Sequence, residues 1–160
     1  MQNSFLTSAF RMGFVSRGII DWPGVSRYTE EILEKFDVKA TGTDALASSL
    51  SGGNLQKFIV GREILQGPQL LVVSQPTWGV DAGAAAAIHE KIQQMISAGA
   101  GALVISQDLD EIFALSDRIA VISQGRLSKP RPTGEVTTEE VGLLMGASRP
   151  GSDTDSHVHA

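Results

Sequence analysis

Leu50-Ser51-Gly52-Gly53-Asn54-Leu55-Gln56-Lys57 opens a long apolar-periodic segment, and its two adjacent glycines run against helix stability. Each glycine costs about 1 kcal/mol relative to alanine inside a helix. A serine followed by glycines at a helix start exposes backbone N–H groups and the positive end of the helix dipole, a surface suited to phosphate oxygens. The same residues also read as an ordinary serine N-cap after a flexible loop. Taken alone the eight residues leave the two readings level.

Downstream, the helix runs to about Gln66, with Leu55, Phe58, Ile59 and Leu65 on one stripe and Val60 with Ile64 roughly opposite. Apolar character on two sides predicts a helix sandwiched between neighbours. Gly67-Pro68 stops it, and Leu70-Leu71-Val72-Val73 reads as a strand buried on both faces of a parallel sheet, ending at Ser74-Gln75-Pro76-Thr77. After Trp78-Gly79-Val80, Asp81 caps a helix whose buried stripe is Ile88, Ile92, Met95 and Ile96, with alanines 84 to 87 permitting close packing and Gly99 ending the run. Ala102-Leu103-Val104-Ile105 is the next buried strand and leads into Ser106-Gln107-Asp108. Asp108 and Glu111 resemble a capping box before Leu109, Ile112 and Phe113. Ile119 to Ile122 reads as a third strand, Gln124-Gly125 as a turn, and Arg126-Leu127 as a short returning strand. Strands alternating with helices predict an α/β fold with a parallel sheet.

Upstream, residues 1 to 20 show no sustained period and predict a short helix and loops. Asp21-Trp22-Pro23 is a helix start, and Val25, Tyr28, Ile32, Leu33 and Phe36 place one face of that helix inward through about Asp37. Residues 38 to 49 form a polar connector to Ser51. Beyond Lys129, Pro130, Pro132 and Gly134 mark a linker, and Thr137 opens a short helix through about Met145. Residues 148 to 160 are polar and expected to be disordered, so His157 and His159 are expected to sit at a solvated end rather than to form a weak metal site. The expected divisions are 1–67 helical, 68–129 α/β, 130–147 linker and helix, and 148–160 tail.

Composition bounds the function. At 160 residues and 42% hydrophobic content the chain is long and apolar enough for one domain with a real core. Asp and Glu number 18 against 13 Lys and Arg, a net charge of −5 without a basic stripe, which argues against nucleic acid as a direct partner. There is no cysteine, so disulfide and thiol chemistry are excluded for this chain. Met1-Gln2-Asn3-Ser4-Phe5-Leu6 lacks the pattern of a signal peptide, and no uncharged apolar run reaches the roughly 20 residues that span a bilayer. A cytosolic location with indirect membrane contact is expected.

Together these stretches resemble the second part of an ATP-binding cassette of an ABC transporter, from the helical subdomain to the C-terminus. Leu50-Ser51-Gly52-Gly53-Asn54 matches the family's signature, and Asn54 followed by Gln56-Lys57 is similar to the tandem-cassette ATPases of sugar and nucleoside importers. Leu70 to Thr77 falls on the Walker B strand, Gly79-Val80-Asp81 on the D-loop, Val104 to Glu111 on the switch region, and Ser116-Asp117-Arg118-Ile119 on the strand after it. The motifs occur in family order over roughly residues 15 to 128. The resemblance implies a partial P-loop NTPase fold of the ABC type, a helical subdomain followed by a parallel-sheet half-core.

It also implies roles. Two cassettes pair head to tail, so Ser51, Gly52, Gly53 and Asn54 would contact the γ-phosphate of an ATP held by the opposite cassette, and Asp81 would bridge the two. Asp81 also reads as a plain N-cap, which is compatible. Gly53→Asp is then expected to abolish transport with little change in local folding. The implied partners are a second ATP-binding cassette and transmembrane permease subunits, on the inner face of the plasma membrane. The cofactors are ATP shared with the partner cassette and magnesium held by the assembly rather than by this chain alone.

Three positions depart from the family pattern. Ser74 stands where an aspartate serves magnesium, Gln75 where a glutamate is the general base, and Gln107 where a histidine contacts the γ-phosphate. None carries the charge or proton affinity the chemistry needs. The phosphate cradle is missing from the sequence too. A P-loop requires Gly-x-x-x-x-Gly-Lys followed by Ser or Thr, whereas Lys35, Lys39, Lys57, Lys91 and Lys129 precede Phe, Ala, Phe, Ile and Pro. The expectation is a fragment, a truncated gene product, or one half of a protein completed by another chain, inactive when isolated. The alternatives are a stand-alone hydrolase using Asp108, Asp110 and Glu111, which capping also explains, and a small interaction protein that binds an intact cassette without transport.

Overall fold

Asp21 starts the helix around which the first part of the chain assembles, its Oδ1 accepting from the Gly24 N–H at 3.0 Å. In the computed structural model, which describes residues 1–146, this helix, α2 (Trp22–Lys35), follows α1 (Gln2–Ser8) and a hairpin of β1 (Val15–Ser16) and β2 (Ile19–Ile20). The hairpin lies within a stretch read from sequence as a short helix and loops. Its two-residue turn is Arg17-Gly18, both at positive φ, the conformation that matches strand twist in tight hairpins.

The next helix, α3 (Gly52–Ile64), packs between neighbours as expected of a sandwiched helix, except that Ile59, expected in its apolar stripe, is exposed. Phe58, Val60 and Gly61 are buried, and Phe58 joins Phe14, Val25, Tyr28, Ile32, Phe36 and Val38 in one core. Two further elements follow: β3 (Leu70–Ser74) and β4 (Gly101–Ile105) pair in parallel, Leu70 opposite Gly101 through Ser74 opposite Ile105, with α4 (Ala82–Ser97) as the crossover. Helix α4 buries Ala84, Ile88, Ile92 and Met95, while Ile96, expected in the same stripe, is only partly buried.

The sheet departs from expectation on one face. Leu71 is buried, but Leu70, Val72, Leu103 and Ile105 are 62, 59, 53 and 47% exposed. Side chains alternate across a strand, so these four share the side opposite Leu71. Burial of β3 and β4 on both faces is therefore corrected to burial on one, since a sheet face is covered only by elements packed over it and these four side chains remain exposed.

The chain divides into two units, Met1–Gln107 and a second beginning at Asp108. The second opens with α5 (Leu109–Leu115), capped by Asp108, whose Oδ1 accepts from the Glu111 N–H at 3.2 Å. The expected third strand breaks in two. Arg118–Ile119 (β5) pairs antiparallel with Arg131–Pro132 (β8), while Ile122–Ser123 (β6) pairs with Arg126–Leu127 (β7) across the Gln124-Gly125 turn. The break falls at Val121, whose N–H and carbonyl bond Ser128 instead. Part of the linker expected around Pro132 is thus a strand. Helix α6 (Thr138–Gly146) begins with a reciprocal capping box between Thr137 and Glu140 and packs Val141 with Ile119 and Val121. The expected tail at 148–160, with His157 and His159, lies outside the described residues.

Candidate functional site

Ser51 is the N-cap of α3 with extended backbone, and its Oγ accepts from the Asn54 N–H at 3.4 Å and from Asn54 Nδ2 at 2.9 Å. With its oxygen accepting from both, the hydroxyl proton remains to be donated elsewhere. Ser51 and Gly52 are exposed. Asn54 works in two directions, because its Oδ1 accepts from the Lys39 N–H at 2.8 Å and so ties the polar connector to the helix start. That clamp was not legible in the sequence, since nothing around Lys39 marks it. Lys57, one turn further on, pairs with Asp37 at 3.6 Å.

The glycines have a structural reason of their own. A β-carbon on Gly52 would stand 3.2 Å from the Gly79 carbonyl oxygen, and one on Gly53 3.3 Å from Ala84 Cβ and 3.7 Å from Asp81 Oδ2. The start of α3 is thus seated on the loop before α4. Gly53→Asp would therefore crowd Ala84 and set two carboxylates together, so the expectation that it leaves local folding intact is corrected. Asp81 caps α4, its Oδ1 accepting from the Ala84 N–H at 2.9 Å. This bond holds the carboxyl below its ordinary range, aided by the Gly83 N–H and the Lys57 charge, against desolvation.

At the end of β3, Ser74 lies opposite Ile105, exposed and uncharged. Gln75 sits at φ 52, a left-handed backbone that a side chain rarely adopts, with its N–H bonded to the Ile105 carbonyl at 2.7 Å. Its side chain accepts from the Ser106 hydroxyl at 3.5 Å, and Gln107 is exposed. These neutral side chains bring no carboxylate, through which proteins usually hold magnesium. Among the described residues no group of three or more His, Asp or Glu side chains stands together as metal ligands do. Of the three acids considered for a hydrolase, Asp108 caps α5, Asp110 is exposed and Glu111 is buried.

The chain is 42% identical over 144 residues to the nucleoside import ATP-binding protein NupA of Lactococcus lactis subsp. cremoris, covering 90% of this chain and 28% of that protein. It is 41% identical over 147 residues to the glucose import ATP-binding protein TsgD13 of Haloferax volcanii, covering 91% and 27%. The chain belongs with the ATP-binding proteins of ABC importers. It spans under a third of the length of these curated relatives. Its fold matches a dimeric ATP-binding cassette in a post-hydrolysis state bound to ADP and Pi, with a TM-score of 0.68 and 20% identity over 82% of this chain and 55% of that one. No family model matches the chain. Among the described residues no helix is long and apolar enough to cross a membrane.

Proposed function

We propose that this chain acts as the signature-bearing part of an import ATP-binding protein for nucleosides or sugars, coupling a nucleotide held by a second cassette to transport through permease subunits. The observation that carries the reading is the α3 start, where Ser51 is exposed with its oxygen already accepting two hydrogen bonds. Such a hydroxyl donates outward, toward an oxyanion such as the γ-phosphate. Gly52, Gly53 and Asn54 line the same turn, which offers a positive dipole end to that phosphate. Asp81, held ionised by its cap bonds, serves at the junction between the two cassettes. The residues fit the outer side of a phosphate rather than its cradle. ATP bound between the two would supply binding energy for their closure, with Ser51, Gly52, Gly53 and Asn54 on its outer side, and magnesium would be held by the partner cassette.

In this reading Ser74, Gln75 and Gln107 leave the chain's own face without an acid, a base or a switch histidine. The site that turns over is then the one the signature completes in the partner, and the chain meets the membrane only through the permease, on the cytoplasmic side. The test mixes the chain with an intact P-loop-bearing nucleoside-import relative and measures retained ATP. Wild-type chain should raise retention by about tenfold and Ser51→Ala should remove most of that gain. Retention indifferent to Ser51 would overturn the reading.

A further inference from the structure

We infer that Gly53 is a positioning residue for Asp81, joining the start of α3 and the loop before α4 into one rigid body. A methyl group at 53 fits only if its neighbour gives by a few tenths of an ångström. Its β-carbon would meet Ala84 Cβ at 3.3 Å, whereas carbon pairs settle at about 3.5–4.0 Å. The strain has a defined outlet. Ala84 donates the N–H that holds the Asp81 carboxylate at 2.9 Å, so moving Ala84 away from α3 moves Asp81 with it. Gly52 closes the other side of the seat, where a β-carbon would stand 3.2 Å from the Gly79 carbonyl oxygen. The spacing between Ser51 and Asp81 is therefore set inside this chain, before any partner arrives. The inference rests on the reading in which both residues face a partner cassette, and adds that one close contact keeps them in register.

The contact can be inverted. In Gly53→Ala with Ala84→Gly the methyl group changes sides, and the remaining neighbours of the new β-carbon, Asp81 Oδ2 at 3.7 Å and Val80 Cβ at 3.9 Å, lie at ordinary contact distance. The helix-propensity changes of the two substitutions also oppose each other.

Two readouts follow the loop without nucleotide. The chain has two tryptophans, so in the full chain carrying Trp22→Phe, acrylamide quenching reports Trp78, which is exposed in the loop. Hydrogen exchange at amide 84 reports the Asp81 cap. Gly53→Ala should raise exchange at amide 84 by about tenfold and change Trp78 quenching while the melting transition stays cooperative, and adding Ala84→Gly should return both to the parent values. Unchanged readouts in Gly53→Ala, or a double variant that fails to restore them, would overturn the inference. If Gly53→Ala does not fold, the double variant decides alone: parent values support the inference and shifted values overturn it. Since neither readout involves nucleotide, a failed ATP-retention test and a failed positioning test are distinguishable.

Discussion

In the proposed reading Gln75 puts an amide where a self-sufficient cassette needs a general base. It follows the end of β3 in a left-handed conformation, and an amide takes no proton from water. Ser74 beside it holds no charge for a metal, and Gln107 offers no imidazole. Replacing the three would still leave the phosphates without the backbone and lysine of a P-loop, the main anchor in this class of enzyme. The variant Ser74→Asp, Gln75→Glu, Gln107→His in the 160-residue chain is therefore expected to release no phosphate from ATP and magnesium above a heat-killed control. Release abolished by Asp108→Asn would instead revive the hydrolase built on Asp108, Asp110 and Glu111.

Between helices, one close seam joins α2 to α3. Phe36 lies flat against Gly61, where a β-carbon would come within 2.6 Å of Phe36 Cγ. Beside it the buried Tyr28 hydroxyl donates to the Arg62 carbonyl. Burial, with Glu63 next in effect, pushes that phenol up to about 12. Gly61→Ala gains about 1 kcal/mol of helix propensity, but driving a methyl group into a packed ring costs about 1–3 kcal/mol or more. A lower urea midpoint is expected, with partial recovery when Phe36→Leu is added. A midpoint at or above that of the parent would show that the ring can withdraw freely.

For the molecule as a whole, the open side of the β3–β4 pair dominates. Parallel sheets are ordinarily covered on both faces, and an apolar face beside unpaired strand edges is a template for association. The 160-residue chain is expected to self-associate, its sedimentation coefficient rising with concentration. Val72→Lys with Leu103→Glu should suppress this by placing charges on the face. A parent chain that sediments as a monodisperse monomer at every concentration would count against it.

Sequence alone determined what is settled within a turn or two of helix. Asp21, Asp81 and Asp108 were legible as caps, and Ser51 and Thr137 as helix starts, because a cap bond reaches only three residues along the chain. The Gln124-Gly125 turn and the apolar runs of β3 and β4 were legible for the same local reason. The β1–β2 hairpin was not, since two-residue strands carry no period. Tertiary structure decided the rest. Whether Val72 and Leu103 are covered depends on which elements lie over the sheet, which no alternation within a strand can state. That Gly53 meets Ala84, and that Asn54 holds Lys39, depends on packing and hydrogen bonding between segments distant along the chain, where a few tenths of an ångström decide what a side chain can be.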